Sequence, residues 1–391
     1  MEKEKYKTPN RLVLFACYLF AWLPYKLRYN IKIKNKKLLK EMKGPFVFLG
    51  NHGNVMDPAF LVGAAYPKNI TFVGSYALFQ KKFIGWLVRR LAVIPKFQYQ
   101  IDFDAIKKMI NVTKNGGILG LFPAGRLPSC GAGFPIPEAV AKLLKMCKAP
   151  VVFAEFNGSY LSKPKWAKGI RRGEVDVTFS LLFSSDDLQT LSLEEMDKIL
   201  NEKLNFNDYE WNRSKQIAYK GKDLAEGLEN TLYHCPKCHQ EFKLTTKGDE
   251  ISCECGLKLK VKPNGFFEDN PYFEHPEQWY ESQRQYLDQE IKEKELLMRD
   301  DCEVYGVVGK KLVKIGEGEL TLSHHYLAFK GLLNGKNETK IISVDELFSL
   351  PYRAGVNIEI ADENTIYLFH LRRGKEAVKW SQLVEEIYKL R

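Results

Sequence analysis

Residues 44–65 read GPFVFLGNHGNVMDPAFLVGAA. A Gly-Pro turn comes first, followed by an apolar run that ends at Asn51–His52. An apolar run without alternation is the pattern of a strand buried on both faces. Gly53 and Asn54 then permit a turn, and a helix is expected to start near Asp57 and run toward Ala65. His52 and Asp57 stand five residues apart. On one continuous helix that spacing would rotate them about 140° from each other. They can meet only where the chain turns between them, and this sequence supplies the turn. A carboxylate on one imidazole nitrogen fixes the tautomer and raises the basicity of the other, so such a histidine can take a proton from an attacking hydroxyl.

The pattern continues outward from this stretch. Short apolar strands are expected at Ile70–Val73, Ile118–Phe122, Pro150–Phe156 and Val175–Phe183. Helices are expected at Phe79–Leu91, Asp102–Lys114, Pro137–Cys147 and Leu193–Leu204, the last capped through Ser192 and Glu195. Strands alternating with helices predict an α/β domain with helices on both sheet faces, over residues 1–215. A charged linker is expected from about Trp211 to Glu229.

The chain has 391 residues, which suggests two or three domains. Apolar residues make up 45% and charged residues 27%, a globular composition. The net charge of +11 favours anionic partners: phosphate groups, anionic lipid headgroups or nucleic acid. Leu12 to Leu23 (LVLFACYLFAWL) is apolar throughout, but shorter than the ~20 residues a membrane span needs. It runs into Pro24, Tyr25 and Lys26, which offer no small-residue cleavage site for a signal peptide. We read residues 1–43 as an interfacial helix plus a basic segment, the alternative being a buried core helix. The basic segment holds Lys26, Arg28, Lys32, Lys34, Lys36, Lys37, Lys40 and Lys43 against one acid, Glu41. Each cation near an anionic leaflet contributes about 1 kcal/mol.

A second segment, Phe122-Pro123-Ala124-Gly125-Arg126-Leu127-Pro128-Ser129, ends a buried strand and is rich in turn formers. Gly125 lets the backbone approach a ligand, and Arg126 can grip a phosphate through paired donors. The bland reading is a loop with a solvated arginine.

The order of these segments resembles the glycerolipid (1-acylglycerol-3-phosphate) acyltransferase family. That family carries an Asn-His-x4-Asp block, then a Phe-Pro-Glu-Gly block with a nearby Arg, then a short strand containing Pro. Here the blocks are Asn51–Asp57, Phe122–Ser129 and Pro150-Val151-Val152, and Phe156-Asn157-Gly158-Ser159 resembles the family's strand end. The similarity covers about residues 10–210. It implies a mixed sheet flanked by helices and acyl transfer from acyl-CoA or acyl-carrier protein to the hydroxyl of a lysophospholipid. His52 and Asp57 would be catalytic, and Asn51, Lys96, Pro123, Gly125 and Arg126 would bind substrate. Backbone N–H groups near Gly125 would hold the oxyanion, and no catalytic cofactor is implied. The expected place is the cytoplasmic face of the membrane, peripheral or monotopic, in phospholipid biosynthesis. Two departures bear on the acceptor. Ala124 stands where the family has glutamate, and Ile94-Pro95-Lys96-Phe97-Gln98 lacks the family's phosphate-binding arginine, leaving Lys96 as its substitute.

Four of the eight cysteines form one cluster: Cys235-Pro236-Lys237-Cys238, then fourteen residues, then Cys253-Glu254-Cys255. Four thiolates in two close pairs suit a structural zinc with no open position, in a zinc ribbon over residues 230–265. An iron–sulfur cluster is the lesser alternative, and His234 and His239 adjoin the ligands. Cys17, Cys130, Cys147 and Cys302 are scattered, so the pattern is that of a reducing compartment. Residues 275–391 read as a polar helix (Glu277–Leu297), successive strands and a closing helix (Lys375–Leu390) with Trp380, an order that resembles a pleckstrin-homology-like domain. The ribbon is expected to serve protein contact.

Two rival readings stand beside acyl transfer. One is a catalytically silent lipid-binding scaffold, which Ala124 allows and the intact His52–Asp57 pair opposes. The other is a zinc-ribbon nucleic-acid binder. It is disfavoured because the basic residues concentrate beside the apolar N-terminal helix and the ribbon lacks an aromatic-basic stripe.

Overall fold

A computed structural model describes residues 7–96, 102–134, 136–308, 311–362 and 365–390; Phe97 and Gln98 lie outside them. The chain divides into two compact units. The first holds Met1–Lys165 and Ile170–Lys220, and the second holds Trp166–Gly169 and Gly221–Arg391.

The first unit opens with α1 (Arg11–Cys17), a π-helical turn (Tyr18–Trp22) and α2 (Leu23–Tyr29). Then follow β1 (Ile31–Lys34), α3 (Lys36–Glu41), β2 (Phe46–Gly50), α4 (Asp57–Ala65) and β3 (Ile70–Ser75). After these come α5 (Tyr76–Gln80), α6 (Lys82–Arg90), β4 (Ile94–Lys96), α7 (Phe103–Lys114) and β5 (Ile118–Leu121). The unit ends with α8 (Ala139–Cys147), β6 (Val151–Asn157), α9 (Ser159–Ser162), β7 (Val175–Phe183), α10 (Asp187–Thr190), α11 (Leu193–Leu204) and α12 (Asp208–Arg213).

The seven strands form one mixed sheet in the order β1-β7-β6-β2-β5-β3-β4. Strands β2 to β6 run parallel to one another, β7 is antiparallel to β6, and β1 is parallel to β7. The reason lies in the alternation of side chains along β2. Phe46 and Phe48 enter one core with Trp22, Tyr29, Phe60 and Phe156, while Val47 and Leu49 enter the other with Met109, Leu144, Val151 and Leu200. Both faces of β2 are therefore covered, as its unbroken apolar run requires. The capping box at Ser192 and Glu195 forms as expected.

Three elements differ from the sequence expectation. The helix expected over Phe79–Leu91 is broken at Lys81, whose ψ of 130° is extended. Gly85 there sits against the Phe79 carbonyl, where a Cβ would come within 2.5 Å of the oxygen. The charged linker is folded in large part. The buried Tyr219 donates its hydroxyl to the Glu174 carbonyl at 2.8 Å, and Leu224, Ala225 and Leu228 are buried as well. Their irregular spacing leaves no periodic signal in the sequence. The N-terminal segment is helical well beyond Leu23 and divides by face. Leu14, Trp22 and Tyr29 are buried. Leu12, Phe15, Leu19, Phe20, Leu23 and Leu27 are exposed, at helical spacing. Trp22 lies so close over Gly63 of α4 that any side chain at Gly63 would overlap the indole. It is thus in part the core helix and in part the exposed one. Among the described residues, no helix is long and apolar enough to cross a membrane.

In the second unit, β8 (Leu244–Lys247), β9 (Glu250–Cys253) and β10 (Lys258–Lys260) form a small antiparallel sheet around the cysteine cluster. Helix α13 (Pro276–Glu293) stops before Leu296, where the next strand begins. Strands β11 (Leu296–Val308), β12 (Lys311–Ser323), β13 (Tyr326–Leu333), β14 (Lys336–Ser343), β15 (Tyr352–Arg353), β16 (Asn357–Asp362) and β17 (Thr365–Leu371) follow. They make a seven-stranded antiparallel sheet in the order β14-β13-β12-β11-β17-β16-β15. The chain closes with α14 (Ala377–Lys389), so the β-rich region with one closing helix is as expected. Its amphipathic pattern, however, does not leave a polar face in water. Lys379 is buried on Glu241 and Glu290, at 2.8 and 2.7 Å, and Arg284 of α13 reaches Glu385 and Glu386 at 2.8 and 2.5 Å. Buried charges are tolerated here because each is paired.

Candidate active site

Parallel strands β2, β5 and β6 deliver the sequence blocks to the same end of the sheet. Ligands of open α/β sheets bind at that carboxyl end. His52 follows β2, Phe122–Arg126 follows β5, and Gly158–Ser159 follows β6. Lys96 ends β4, which runs parallel to β3 with Ser75 opposite Lys96.

The turn between β2 and α4 brings His52 and Asp57 together, with His52 Nδ1 2.9 Å from Asp57 Oδ2. Asp57 is fully buried, while His52 keeps 18% of its side chain exposed. The Asn54 backbone N–H also donates to Asp57 Oδ2, at 2.8 Å, and the Ser159 hydroxyl donates to Asp57 Oδ1. Asp57 begins α4, where the helix dipole favours a carboxylate. The Asn54 side-chain amide donates to the Ser159 carbonyl at 3.1 Å and to Ser162 Oγ at 3.0 Å. Loop 52–57 and turn 158–162 are therefore laced together across the sheet end.

The other expected residues divide. Asn51, expected to bind substrate, has both ends of its amide on Phe156: its Nδ2 donates to the Phe156 carbonyl at 2.6 Å, and its Oδ1 accepts from the Phe156 N–H at 2.7 Å. It ties the end of β2 to β6. The second block meets the first through Phe122, whose ring lies 4.6 Å from that of His52 and also contacts Phe72 and Phe156. Pro123 is half-buried in the loop that follows. The Gly125 N–H, expected to face an oxyanion, donates to the Phe122 carbonyl at 3.1 Å within a turn. The Arg126 guanidinium stacks on the Phe134 ring, 3.8 Å from its centroid. Lys96 is half-buried, and burial lowers its ammonium while the Asp102 charge raises it.

Asn54, Ser159 and Asp208 were not among the expected site residues. Asn54 lies inside the quoted motif but reads there only as a turn former. Asp208 gave none, because an acid in a helical first turn reads as ordinary capping. Its carboxylate accepts from the backbone N–H groups of Gly158 (2.9 Å), Tyr160 (2.7 Å) and Leu161 (3.4 Å). Burial pushes the Asp208 carboxyl up to about 7, against the pull of those three donors, and the Asp57 charge adds to the rise. The Tyr160 hydroxyl donates to the Ser129 carbonyl at 3.0 Å, which joins the second block to the same turn.

The second candidate site lies in the other unit. The Sγ atoms of Cys235, Cys238, Cys253 and Cys255 all lie within 4.8 Å of one another. Cys235 and Cys255 are 3.7 Å apart at sulfur, and Cys238 and Cys253 are 3.8 Å apart. A tetrahedral ion with metal–sulfur bonds of about 2.3 Å has edges of about 3.8 Å. The separations fit one ion and are far from a disulfide's ~2.05 Å. Turns preset the pairs: the His239 N–H donates to the Cys235 carbonyl and the Gly256 N–H to the Cys253 carbonyl, each at 2.9 Å. Burial raises Cys235 and pushes Cys253 up to about 12, while the Leu257 N–H leads in lowering Cys255 to about 7. The cluster can hold a metal ion. His234 and His239 lie beside it, with His234 stacked on Tyr286 at 3.8 Å.

The acyltransferase family matches residues 30–152. The 1-acyl-sn-glycerol-3-phosphate acyltransferase of Bacillus subtilis (strain 168) is 30% identical over 143 residues, which is 37% of this chain and 70% of that protein. The crystal structure of the 1-acyl-sn-glycerophosphate (LPA) acyltransferase PlsC from Thermotoga maritima aligns with a TM-score of 0.43 and 17% identity, covering 50% of this chain and 78% of that one. The C-terminal domain of an unknown protein from Leishmania infantum aligns with a TM-score of 0.17 and 20% identity, covering 26% of this chain and 92% of that one. The chain, with its His52–Asp57 turn inside the matched segment, belongs to the 1-acyl-sn-glycerol-3-phosphate acyltransferase family and is an acyltransferase.

Proposed function

We propose that this enzyme transfers a fatty acyl group from acyl-CoA or acyl-carrier protein to the free hydroxyl of a lysophospholipid, 1-acylglycerol-3-phosphate. The 2.9 Å contact between His52 Nδ1 and the buried Asp57 carboxylate supports this reading above all else. With Nδ1 held on Asp57, Nε2 is the basic nitrogen. It takes the proton from the acceptor hydroxyl as that oxygen attacks the thioester carbonyl. The C–S bond then breaks, and the thiolate leaves with the proton returned from the His52 imidazolium. No acyl-enzyme is formed. Arg126 and Lys96 are assigned to the acceptor phosphate and Pro123 to the substrate-facing loop, while Asn51 acts by joining β2 to β6. Lysine serves as a point charge where the arginine fork would be bidentate. The cysteine cluster is assigned a structural zinc, and no step passes through it.

A panel of lysolipids, each offered with radiolabelled acyl-CoA and with acyl-carrier protein, tests the acceptor and the donor. Transfer to lysophosphatidic acid is expected. Transfer only to a lysolipid without a free phosphate would remove that acceptor and the phosphate role of Lys96. Absence of transfer from either donor to any acceptor would sink the reading.

The reaction is proposed to run at a membrane surface, on its cytoplasmic face. The exposed apolar stripe of α1 and α2 and the basic residues beside it support this, as do Phe83 and Trp86 of α6, which are also exposed. The Arg90 carbonyl at the end of α6 accepts from the Asn10 N–H at 2.9 Å, so the two surfaces adjoin. Phe20 is 81% exposed and Leu27 87%. Burying such side chains contributes about 1.5–3 kcal/mol each. The double substitution Phe20→Asp with Leu27→Asp is therefore expected to cut co-sedimentation with anionic vesicles by at least about tenfold. Unchanged binding would show that this stripe is not the docking surface.

A further inference from the structure

We propose that Ser159 is a positioning residue of the reaction: its hydroxyl holds the far oxygen of Asp57, so that the near oxygen meets His52 Nδ1 in one fixed orientation. This rests on the reading of His52 as general base given above.

A carboxylate can rotate about its Cβ–Cγ bond unless both oxygens are held. On Asp57, Oδ2 is shared by His52 Nδ1 and the Asn54 N–H, at 2.9 and 2.8 Å. Oδ1 is held by the Ser159 hydroxyl. Ser159 is 1% exposed, and its proton is directed to Asp57, not to solvent or a carbonyl. It is therefore unsuited to be an acyl-accepting nucleophile and well suited to fix the carboxylate.

The chain is built to keep Ser159 in place. Gly158 before it has φ of +75°, a conformation that favours glycine, and a Cβ there would come within 2.2 Å of the Tyr219 hydroxyl. Asp208 clamps the N–H groups on both sides of Ser159, those of Gly158 and Tyr160. The Ser159 carbonyl in turn accepts from the Asn54 amide and from Ser162 Oγ, at 3.1 and 2.6 Å. Asn54 thus grips Asp57 through its backbone and Ser159 through its side chain. A serine serving only to fill space would need none of this.

Removing the hydroxyl frees Oδ1 and concentrates negative charge on the oxygen facing the imidazole. The His52 imidazolium then becomes easier to form but less well aligned. In Ser159→Ala, kcat is expected to fall, by less than the about 10²–10⁴-fold lost with the general base itself, with little change in KM for either substrate. The acidic limb of the pH profile should move to higher pH, because the imidazolium then faces a carboxylate with one donor fewer. Ser159→Thr, which keeps the hydroxyl, should restore both. Titration of the His52 ring signals in the histidine-labelled full chain gives a readout that does not require turnover. The same upward shift is expected in Ser159→Ala. Wild-type kcat and an unmoved pH profile in a folded Ser159→Ala protein would overturn the proposal. So would an unshifted His52 titration in the folded Ser159→Ala protein. Retained activity in His52→Ala would instead overturn the general-base reading, while a shifted titration would still place Ser159 on the Asp57–His52 pair.

Discussion

Acyl transfer by His52→Ala is expected to fall by about 10²–10⁴-fold, the usual contribution of a positioned general base. The loss should lie in kcat, because nothing assigns His52 to holding either substrate in the ground state. Stability should change little. His52 is partly exposed, and Asp57 keeps its donors from Asn54 and Ser159 when the imidazole is gone. Asp57→Ala differs in this respect. It leaves the buried Asn54 N–H and Ser159 hydroxyl without an acceptor, at about 1–3 kcal/mol for each buried group so exposed to loss. The two variants should therefore be similarly inactive but unequal in thermal unfolding, with Asp57→Ala melting lower. Radiolabelled transfer assays beside thermal unfolding curves check both parts. A His52→Ala protein with wild-type turnover would remove proton abstraction from this histidine, whatever the geometry.

The second large effect belongs to the cysteine cluster. One equivalent of zinc per chain is expected by elemental analysis, falling to none in the double substitution Cys235→Ser with Cys253→Ser. Metal binding and folding are coupled in such sites, with apparent binding energies of about 10–16 kcal/mol in isolated zinc-finger peptides. The sheet β8 to β10 is short, and the four sulfurs, of which only that of Cys253 belongs to it, converge within 4.8 Å. Without a cation, burial disfavours the Cys235 and Cys253 thiolates. Chelation should thus open residues 230–265 to proteolysis. Protection that survives complete metal removal would show that packing alone holds the ribbon, and iron in place of zinc would correct the metal.

Much of the first unit was legible because its strands are buried on both faces. Phe46-Val47-Phe48-Leu49 has no alternation, and the two cores that take Phe46 and Val47 in turn are the reason. The capping box at Ser192 was readable because it is local. The break at Lys81 was not, since the packing of Gly85 against the Phe79 carbonyl depends on how α5 and α6 meet. The buried polar face of α14 was not readable either. A run with Lys379, Glu385 and Glu386 looks solvated until Glu241, Glu290 and Arg284 are brought against it.

By itself, the sequence determined the candidate chemistry. The Asn51–Asp57 block, its turn and the two cysteine pairs are short-range patterns, so spacing alone says which side chains can meet. Tertiary structure decided what surrounds them. Ser159 reaches Asp57 from 102 positions away, and Asp208 reaches Gly158 from 50. Phe122 meets His52 only because β5 lies beside β2. Such contacts depend on which strands are neighbours and where each ends, and no local periodicity encodes strand order.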